Sequence, residues 1–186
     1  MKKPLFIAIL GPSGIGKDTV IADLIKAHPD WEAATSYTTR PRRPSETHSK
    51  FHFVTEEEFL AREKNGEFLE IASPFGTYSY ALPKKEVLDS LSQGRNVIRQ
   101  VDLNGLRQLK QTEIAPHIVS IFLYVDNLDI LRDRLLERGD TTGEELEARL
   151  AQADDEIARK DECDTAILST TQEDTWKNVD QYLNSL

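Results

Sequence analysis

The chain has 186 residues, 39% of them hydrophobic and 30% charged, with a formal net charge of -9, which fits one compact domain. An acidic balance argues against general nucleic-acid or membrane-surface binding, because both depend on a broad positive field. The single cysteine, Cys163, excludes an intramolecular disulfide and a Cys-based metal cluster, and no stretch approaches the roughly 20 apolar residues of a membrane span.

Lys2 and Lys3 ahead of an apolar run look faintly like the start of a signal peptide, but the run is short, no small-residue cleavage site closes it, and a buried first strand is expected instead. Residues 5–10 form that run, bounded by Gly11 and Pro12, the pattern of a parallel strand covered on both faces. Residues 18–27 carry Val20, Ile21, Leu24 and Ile25 at helical spacing, so the chain opens as strand, glycine-rich turn and helix. Residues 31–37 read as a second strand, 38–50 as a polar loop rich in proline and arginine, and 51–54 as a short strand. Thr55 and Glu58 make a capping-box pair ahead of a helix that begins at Phe59 and Leu60 and stops at Gly66. Residues 67–72 are strand-like, and 73–82 are turn-rich and aromatic. Pro83 opens a helix that ends at Gly94. Residues 96–101 form a strand with Asp102 at its carboxyl end, followed by a helix over 105–111 and a strongly apolar strand over 118–125. A helix over 127–138 places Leu128, Leu131 and Leu135 on one face. After a polar break at 139–143 come a long charged helix over 144–160, a short strand at 165–168 and a final helix over 173–183.

Strands alternating with helices predict an α/β parallel sheet. The short strands within 51–82 predict a small insertion over the carboxyl edge of that sheet, where ligands bind in such folds. The four histidines, His28, His48, His52 and His117, are scattered without metal-ligand spacing and read as surface or half-buried residues.

The sharpest signal is Gly11-Pro12-Ser13-Gly14-Ile15-Gly16-Lys17, in which Gly11, Gly16 and Lys17 match the spacing of a phosphate-binding loop. Glycines let the backbone curl until several N–H groups point inward, and the following helix adds its positive end. Lys17 can then reach the β- and γ-phosphates of a nucleotide. The hydroxyl residue that usually follows the lysine and ligates Mg²⁺ is replaced by Asp18, with Thr19 next. Thr19 can supply that hydroxyl one place later, and Asp18 either faces the metal or favours the helix N-terminus by its charge. Two basic clusters, Arg40, Arg42 and Arg43, and Arg132, Arg134 and Arg138, stand out from the acidic background.

Ser36-Tyr37-Thr38-Thr39-Arg40-Pro41-Arg42-Arg43-Pro44-Ser45-Glu46, with Phe51-His52-Phe53-Val54 and Gly66-Glu67-Phe68-Leu69-Glu70 behind it, resembles the guanylate kinase family. The resemblance runs from the first strand to the long charged helix. It implies a P-loop NTPase-type parallel sheet flanked by helices, with a small mixed α/β acceptor-binding insertion and a helical lid. The core would be 1–35, 83–126 and 161–186, the insertion 36–82 and the lid 134–150. It further implies phosphorylation of GMP or dGMP by ATP with Mg²⁺, in the cytoplasm, by a monomer or homodimer that engages neither nucleic acid nor membrane. ATP would be bound by Gly11, Pro12, Ser13, Gly14, Ile15, Gly16, Lys17, Asp18 and Thr19, the last two also candidates for the metal. Arg40 and Arg43 match the arginines that hold the acceptor phosphate, a task suited to guanidinium forks. Ser36, Glu70 and Asp102 match positions that read guanine, whose N1 and N2 offer donors to carboxylates. Arg134-Leu135-Leu136-Glu137-Arg138-Gly139 and Arg149-Leu150 resemble the lid, so Arg134, Arg138 and Arg149 would join Lys17 around the transferring phosphoryl group. The plainer alternative for Arg134 and Arg138 is pairing with neighbouring acids on a helix surface, such as Asp133 or Glu137.

The sequence departs from the family pattern in four places. Residues 46–51 are one short. Phe51 stands where the family has a phosphate-binding tyrosine. The Tyr-Gly-Ser/Thr element is altered around Ser79-Tyr80-Ala81-Leu82, where the tyrosine is Tyr80 counting back from Gly94, or is replaced by Ser79 counting forward from Glu70. Either way the base-reading hydroxyl becomes Ala81 or Leu82. Gln100 replaces the first aspartate of the family's Asp-x-Asp, a group near the metal, for which Asp18 would compensate. Gly16-Lys17-Asp18 also resembles the ribose 1,5-bisphosphate phosphokinase of phosphonate breakdown, which has no base to read and no need of Glu70 and Asp102. A guanylate-kinase-like binding module would not need Lys17 or the lid arginines.

Overall fold

The computed structural model describes residues 3–42, 50–73, 76–137 and 143–186. Its elements run β1 (Phe6–Leu10), α1 (Lys17–Ala27), β2 (Glu32–Ala33), β3 (Ser36–Thr38), β4 (Phe51–Phe53), α2 (Glu56–Lys64), β5 (Phe68–Ala72), β6 (Tyr80–Pro83), α3 (Lys84–Ser92), β7 (Val97–Gln100), α4 (Leu103–Leu109), β8 (Ile118–Tyr124), α5 (Asp129–Glu137), α6 (Glu144–Ile157), β9 (Thr165–Leu168) and α7 (Gln172–Asn184). They form two sheets. The first is parallel, in the order β2-β7-β1-β8-β9. The second is mixed, in the order β4-β3-β6-β5, with β3 parallel to β4 and antiparallel to β6.

Every residue of β1 is buried. Side chains alternate across a strand, so an unbroken apolar run must be covered on both faces. Phe6, Ala8 and Leu10 join one core, capped by Val87 of α3 and Leu106 of α4. Ile7 and Ile9 join the other, with Leu24 of α1 and Val179 of α7. Ser120, fully buried in β8, is tolerated because its N–H and hydroxyl both donate to the Asp164 carboxylate, each at 2.7 Å. A mixed α/β protein with a parallel sheet flanked by helices is therefore observed, as expected.

Several local expectations change. Residues 31–37 are not one strand. β2 pairs with β7 in the first sheet and β3 pairs with β4 in the second, and the change of partner falls at Thr35. Ala34 N–H still donates to Ile98, whereas Ser36 N–H donates to Lys50. The end of the turn-rich segment, Tyr80–Pro83, is the strand β6, held between β3 and β5. Pro83 ends that strand and serves as N-cap of α3, so the helix begins at Lys84. The capping box of Thr55 and Glu58 is present, but Thr55 is the N-cap itself, so α2 starts at Glu56 rather than at Phe59. The long charged helix stops at Ile157, ahead of a separate 3₁₀ turn at Lys160–Glu162.

Candidate active site

A cleft of about 740 Å³ lies at the carboxyl ends of β1 and β7 and is lined by both sheets. The glycine-rich loop forms one end. Gly11 has φ +134°, and a Cβ there would stand 2.4 Å from the Leu123 carbonyl of β8, so the loop can leave β1 only as glycine. Gly16, at φ +102°, is the N-cap of α1 and frees the first-turn N–H groups from any side-chain cap. Ile15 is 1% exposed and anchors the loop in the core. Lys17 Nζ donates to the Gly11 and Pro12 carbonyls, the latter at 2.9 Å. Burial pushes the Lys17 ammonium down to about 8, against the pull of Glu156 and Asp18. Asp18 is exposed and accepts from Lys50 Nζ at 2.7 Å, so the loop helix is tied to the start of β4.

The other end of the cleft is polar, with Ser36 and Glu70 buried at its base and Gln100 and Asp102 exposed. Ser36, Glu70, Tyr80, Arg99, Gln100 and Asp102 all line it. Arg99 reaches across from β7: Nη1 donates to Thr35 O at 3.0 Å and Ser36 Oγ at 2.6 Å, and Nη2 to Glu70 Oε2 at 3.3 Å. Glu70 is only 3% exposed. Burial pushes its carboxyl above the ordinary value, the Arg99 guanidinium opposes that rise, and the Asp102 carboxylate adds to it. Asp102 Oδ1 caps α4 by accepting from Gly105 N–H at 2.6 Å. Gly105 is what lets Glu70 sit there: a Cβ would meet Glu70 Oε1 at 2.6 Å and Val101 Cγ1 at 3.0 Å.

Of the residues expected at the site, Gly11, Ser13, Gly14, Gly16, Lys17, Asp18, Ser36, Glu70, Tyr80 and Asp102 converge on this cleft. Tyr80, not Ser79, faces it; the Ser79 backbone is held by Thr39 instead. Pro12 and Ile15 are buried supports of the loop, and Thr19 is exposed on the first turn of α1, outside the lining. Arg40 is buried, its guanidinium 5.3 Å from the Phe51 ring centroid and 5.4 Å from that of Phe53. Arg134 donates to Ile15 O at 3.1 Å and Thr170 O at 3.2 Å, which braces the loop from behind rather than facing the cleft. Arg149 pairs with Glu145 one turn away at 2.7 Å. Arg43 and Arg138 lie outside the described residues.

Sequence reasoning missed Lys50, Arg99, Gln152 and Glu156, which also line the cleft. For Arg99 a signal existed: a cation directly follows the apolar pair Val97 and Ile98, both buried, within one strand. Among the described residues no three His, Cys, Asp or Glu side chains gather as a metal site. What the loop offers a metal is one exposed carboxylate, Asp18, and one exposed hydroxyl, Thr19. That donor set fits a Mg²⁺ that arrives with nucleotide phosphates and keeps waters, rather than one caged by protein.

A guanylate kinase family model matches residues 2–186. A guanylate kinase from Streptomyces kasugaensis is 40% identical over 178 residues, 95% of this chain and 85% of that one. One from Trichodesmium erythraeum is 33% identical over 184 residues, 98% of this chain and 97% of its own. The crystal structure of guanylate kinase from Anaplasma phagocytophilum superposes with a TM-score of 0.78 at 27% identity, covering 98% of this chain and 85% of that one.

The tight seat at Gly105 sets two effects against each other. Alanine is the better helix former by about 0.8–1.0 kcal/mol. Its methyl group would press on a carboxylate held by Arg99 and on Val101, and such overpacking typically costs about 1–3 kcal/mol. Urea unfolding of Gly105→Ala is therefore expected to show a net loss of stability, on the order of 1 kcal/mol. A midpoint equal to or above that of the parent would mean that Glu70 gives way freely.

Proposed function

The chain belongs to the guanylate kinase family, and from that premise we propose that it transfers the γ-phosphoryl group of ATP to GMP or dGMP. The observation that carries the reading is one cleft with the phosphate loop and Lys17 at one end and a polar set at the other, in which Ser36 and Glu70 are buried, Arg99 is half-buried and Asp102 is exposed. A sugar-bisphosphate kinase would have no use for the second end, and a silent binding module none for Lys17.

In the proposed reaction an oxygen of the acceptor phosphate attacks the γ-phosphorus in line. A new P–O bond forms to GMP, the bond to the β,γ-bridging oxygen breaks, and ADP leaves as GDP forms. Such transfer needs positioning and positive charge more than covalent help. Residues Gly11 to Thr19 cradle the donor phosphates, and Lys17 leaves the loop carbonyls for the β- and γ-phosphates. Thr19 and Asp18 would hold Mg²⁺, which would neutralise charge on those phosphates. Asp18 first has to release Lys50, an exposed pairing worth little in solvent. Arg40 and Arg43 place the acceptor phosphate, while Ser36, Glu70, Tyr80 and Asp102 face the base. Arg138 and Arg149 belong to the closing lid, and Arg134, at the start of the same region, steadies the phosphate loop through Ile15 O and adds its positive charge there. Lid closure excludes water that would otherwise hydrolyse ATP.

The same reading divides the chain into a core of 1–35, 83–126 and 161–186, an acceptor insertion of 36–82 and a lid at 134–150. Its support is that the second sheet uses only strands from Ser36 to Pro83. Among the described residues no helix is long and apolar enough to cross a membrane. Cytoplasmic work as a monomer or homodimer completes the proposal.

Release of ADP, followed in a coupled assay with ATP and Mg²⁺, is expected to be rapid with GMP or dGMP and slow with AMP, UMP or ribose 1,5-bisphosphate. Turnover with the sugar bisphosphate alone would overturn the acceptor. Lys17→Ala should lower kcat by about 10²–10³ or more with an unchanged circular dichroism spectrum, and an active Lys17→Ala would remove the loop from the mechanism.

The depressed Lys17 ammonium adds a calorimetric prediction. Phosphates bound beside it favour the charged form and raise its pKa from about 8. Above that pH the free protein has largely lost the proton, so ATP binding must take one up; near neutral pH Lys17 is already charged and no uptake is expected from it. Titration calorimetry in buffers of different ionisation enthalpy checks this, and buffer-independent heats well above pH 8 would contradict it.

A further inference from the structure

The two sheets meet on the floor of the cleft, and the Arg99 side chain crosses between them. It leaves β7 in the first sheet and holds Thr35 O, Ser36 Oγ and Glu70 Oε2 in the second. We propose that Arg99 is a positioning residue for the acceptor base, a bridge that fixes Ser36 and Glu70 in the arrangement that takes guanine. The inference rests on the GMP reading above.

The fold does not explain why an arginine stands there. Its neighbours in β7, Val97 and Ile98, are buried, and apolar side chains suit such a place. A buried ion pair is weak support for stability, because the cost of desolvating both charges can exceed their attraction. This pair is also incomplete, since Arg99 Nε is buried without a partner among the described residues. A costly, imperfect charge at the floor of a cleft points to a use in the cleft.

The chemistry of the base supplies that use. Guanine offers N–H donors at N1 and N2. A carboxylate takes both only as the anion, because a protonated carboxyl has turned one oxygen into a donor. Burial works against that anion at Glu70. Asp102, ahead of α4, works against it too, and Arg107 of α4 is turned away to Glu162 at 2.7 Å. Among the described residues Arg99 is the cation that favours the anion. Its fork also holds the Ser36 hydroxyl as an acceptor at 2.6 Å, so the Ser36 proton points elsewhere and is free for the ligand. With the family's other base-reading hydroxyl replaced by fully buried Ala81 or Leu82, Ser36 and Glu70 carry more of the recognition.

The test is steady-state kinetics of the full chain with GMP and ATP varied separately, from about pH 5 to about pH 8, starting above the ordinary carboxylate range because burial raises Glu70. Arg99→Met is expected to raise KM for GMP about 10- to 100-fold, the loss of a hydrogen bond to a charged group, and to leave KM for ATP unchanged. The acid limb of kcat/KM for GMP should move to higher pH, because the removed cation no longer opposes protonation of Glu70. Ionisation of the GMP phosphate is common to all variants and cancels in the comparison. Arg99→Lys keeps charge but loses the fork, so it should restore the acid limb and only part of the KM. In a Glu70→Gln background, Arg99→Met should move neither the acid limb nor, to a comparable extent, the KM. An Arg99→Met that raises both KM values alike, or leaves the acid limb in place, overturns the proposal. If Arg99→Met does not fold, an unchanged GMP KM in Arg99→Lys overturns it. Failure of the guanine reading shows separately, as a wild-type protein idle with GMP or a Glu70→Gln variant with an unaltered GMP KM.

Discussion

β1 is hydrogen-bonded on both sides, to β7 and β8, and packed on both faces by separate apolar cores. Each fully buried Phe, Ile or Leu contributes about 1.5–3 kcal/mol, and a shift of one residue would turn every side chain to the wrong face. The strand therefore has no freedom, and its carboxyl end is a fixed point. The chain leaves that point through Gly11, against the Leu123 carbonyl of β8, in a space that admits no Cβ. On the other flank β7 carries Arg99 and Gln100 to the same level. The glycine-loop end and the Arg99 end of the cleft are thus placed by a single strand and its two neighbours.

That constraint explains what could be read in advance. The strand, the loop and the helix after it are contiguous in the chain and driven by local rules: an apolar run, glycines where φ is positive, helical spacing. They were legible as a unit. The insertion was legible only in part, because its strands are short and their partners are distant. Nothing local distinguishes residues 31–37 as one strand from β2 and β3 in two sheets. The exchange of partners at Thr35 depends on Ile98 on one side and Lys50 on the other. Tyr80–Pro83 looks like a turn until β3 and β5 flank it. Glu70 and Asp102 entered through their positions in a family pattern, but the partner of Glu70 did not. Arg99 and Gly105 are far from Glu70 in sequence and meet it only across the seam between the sheets.

A chain of net charge -9 that binds polyanions has to concentrate its cations. The cleft does so with Lys17, Lys50 and Arg99, while carboxylates of Asp18, Glu70 and Asp102 line the same walls. The arrangement is poised rather than simply positive. Lys17 is partly desolvated and rests on its own loop carbonyls, and Lys50 rests on Asp18. Both cations have provisional partners that a phosphate can outbid, so binding exchanges contacts instead of filling a bare positive hole. Phe51 follows the same logic beside Arg40. It lacks the family's hydroxyl, yet its ring stacks near the buried Arg40 guanidinium and helps hold it in place.

The same comparison separates the lid arginines. Arg149 is held by an exposed pairing with Glu145, one helical turn away, of a kind worth about 0.3–0.5 kcal/mol. Any phosphoryl group within its reach would draw it away. Arg134 is different, since its fork bridges Ile15 O in the loop and Thr170 O after β9. Hydrogen bonds from a charged donor are worth about 1.5–3 kcal/mol each, and breaking them would also release the loop that Lys17 and the N-terminus of α1 depend on. The two therefore differ in what holds them: Arg149 has an exposed partner on its own helix, whereas Arg134 ties the phosphate loop to the segment after β9.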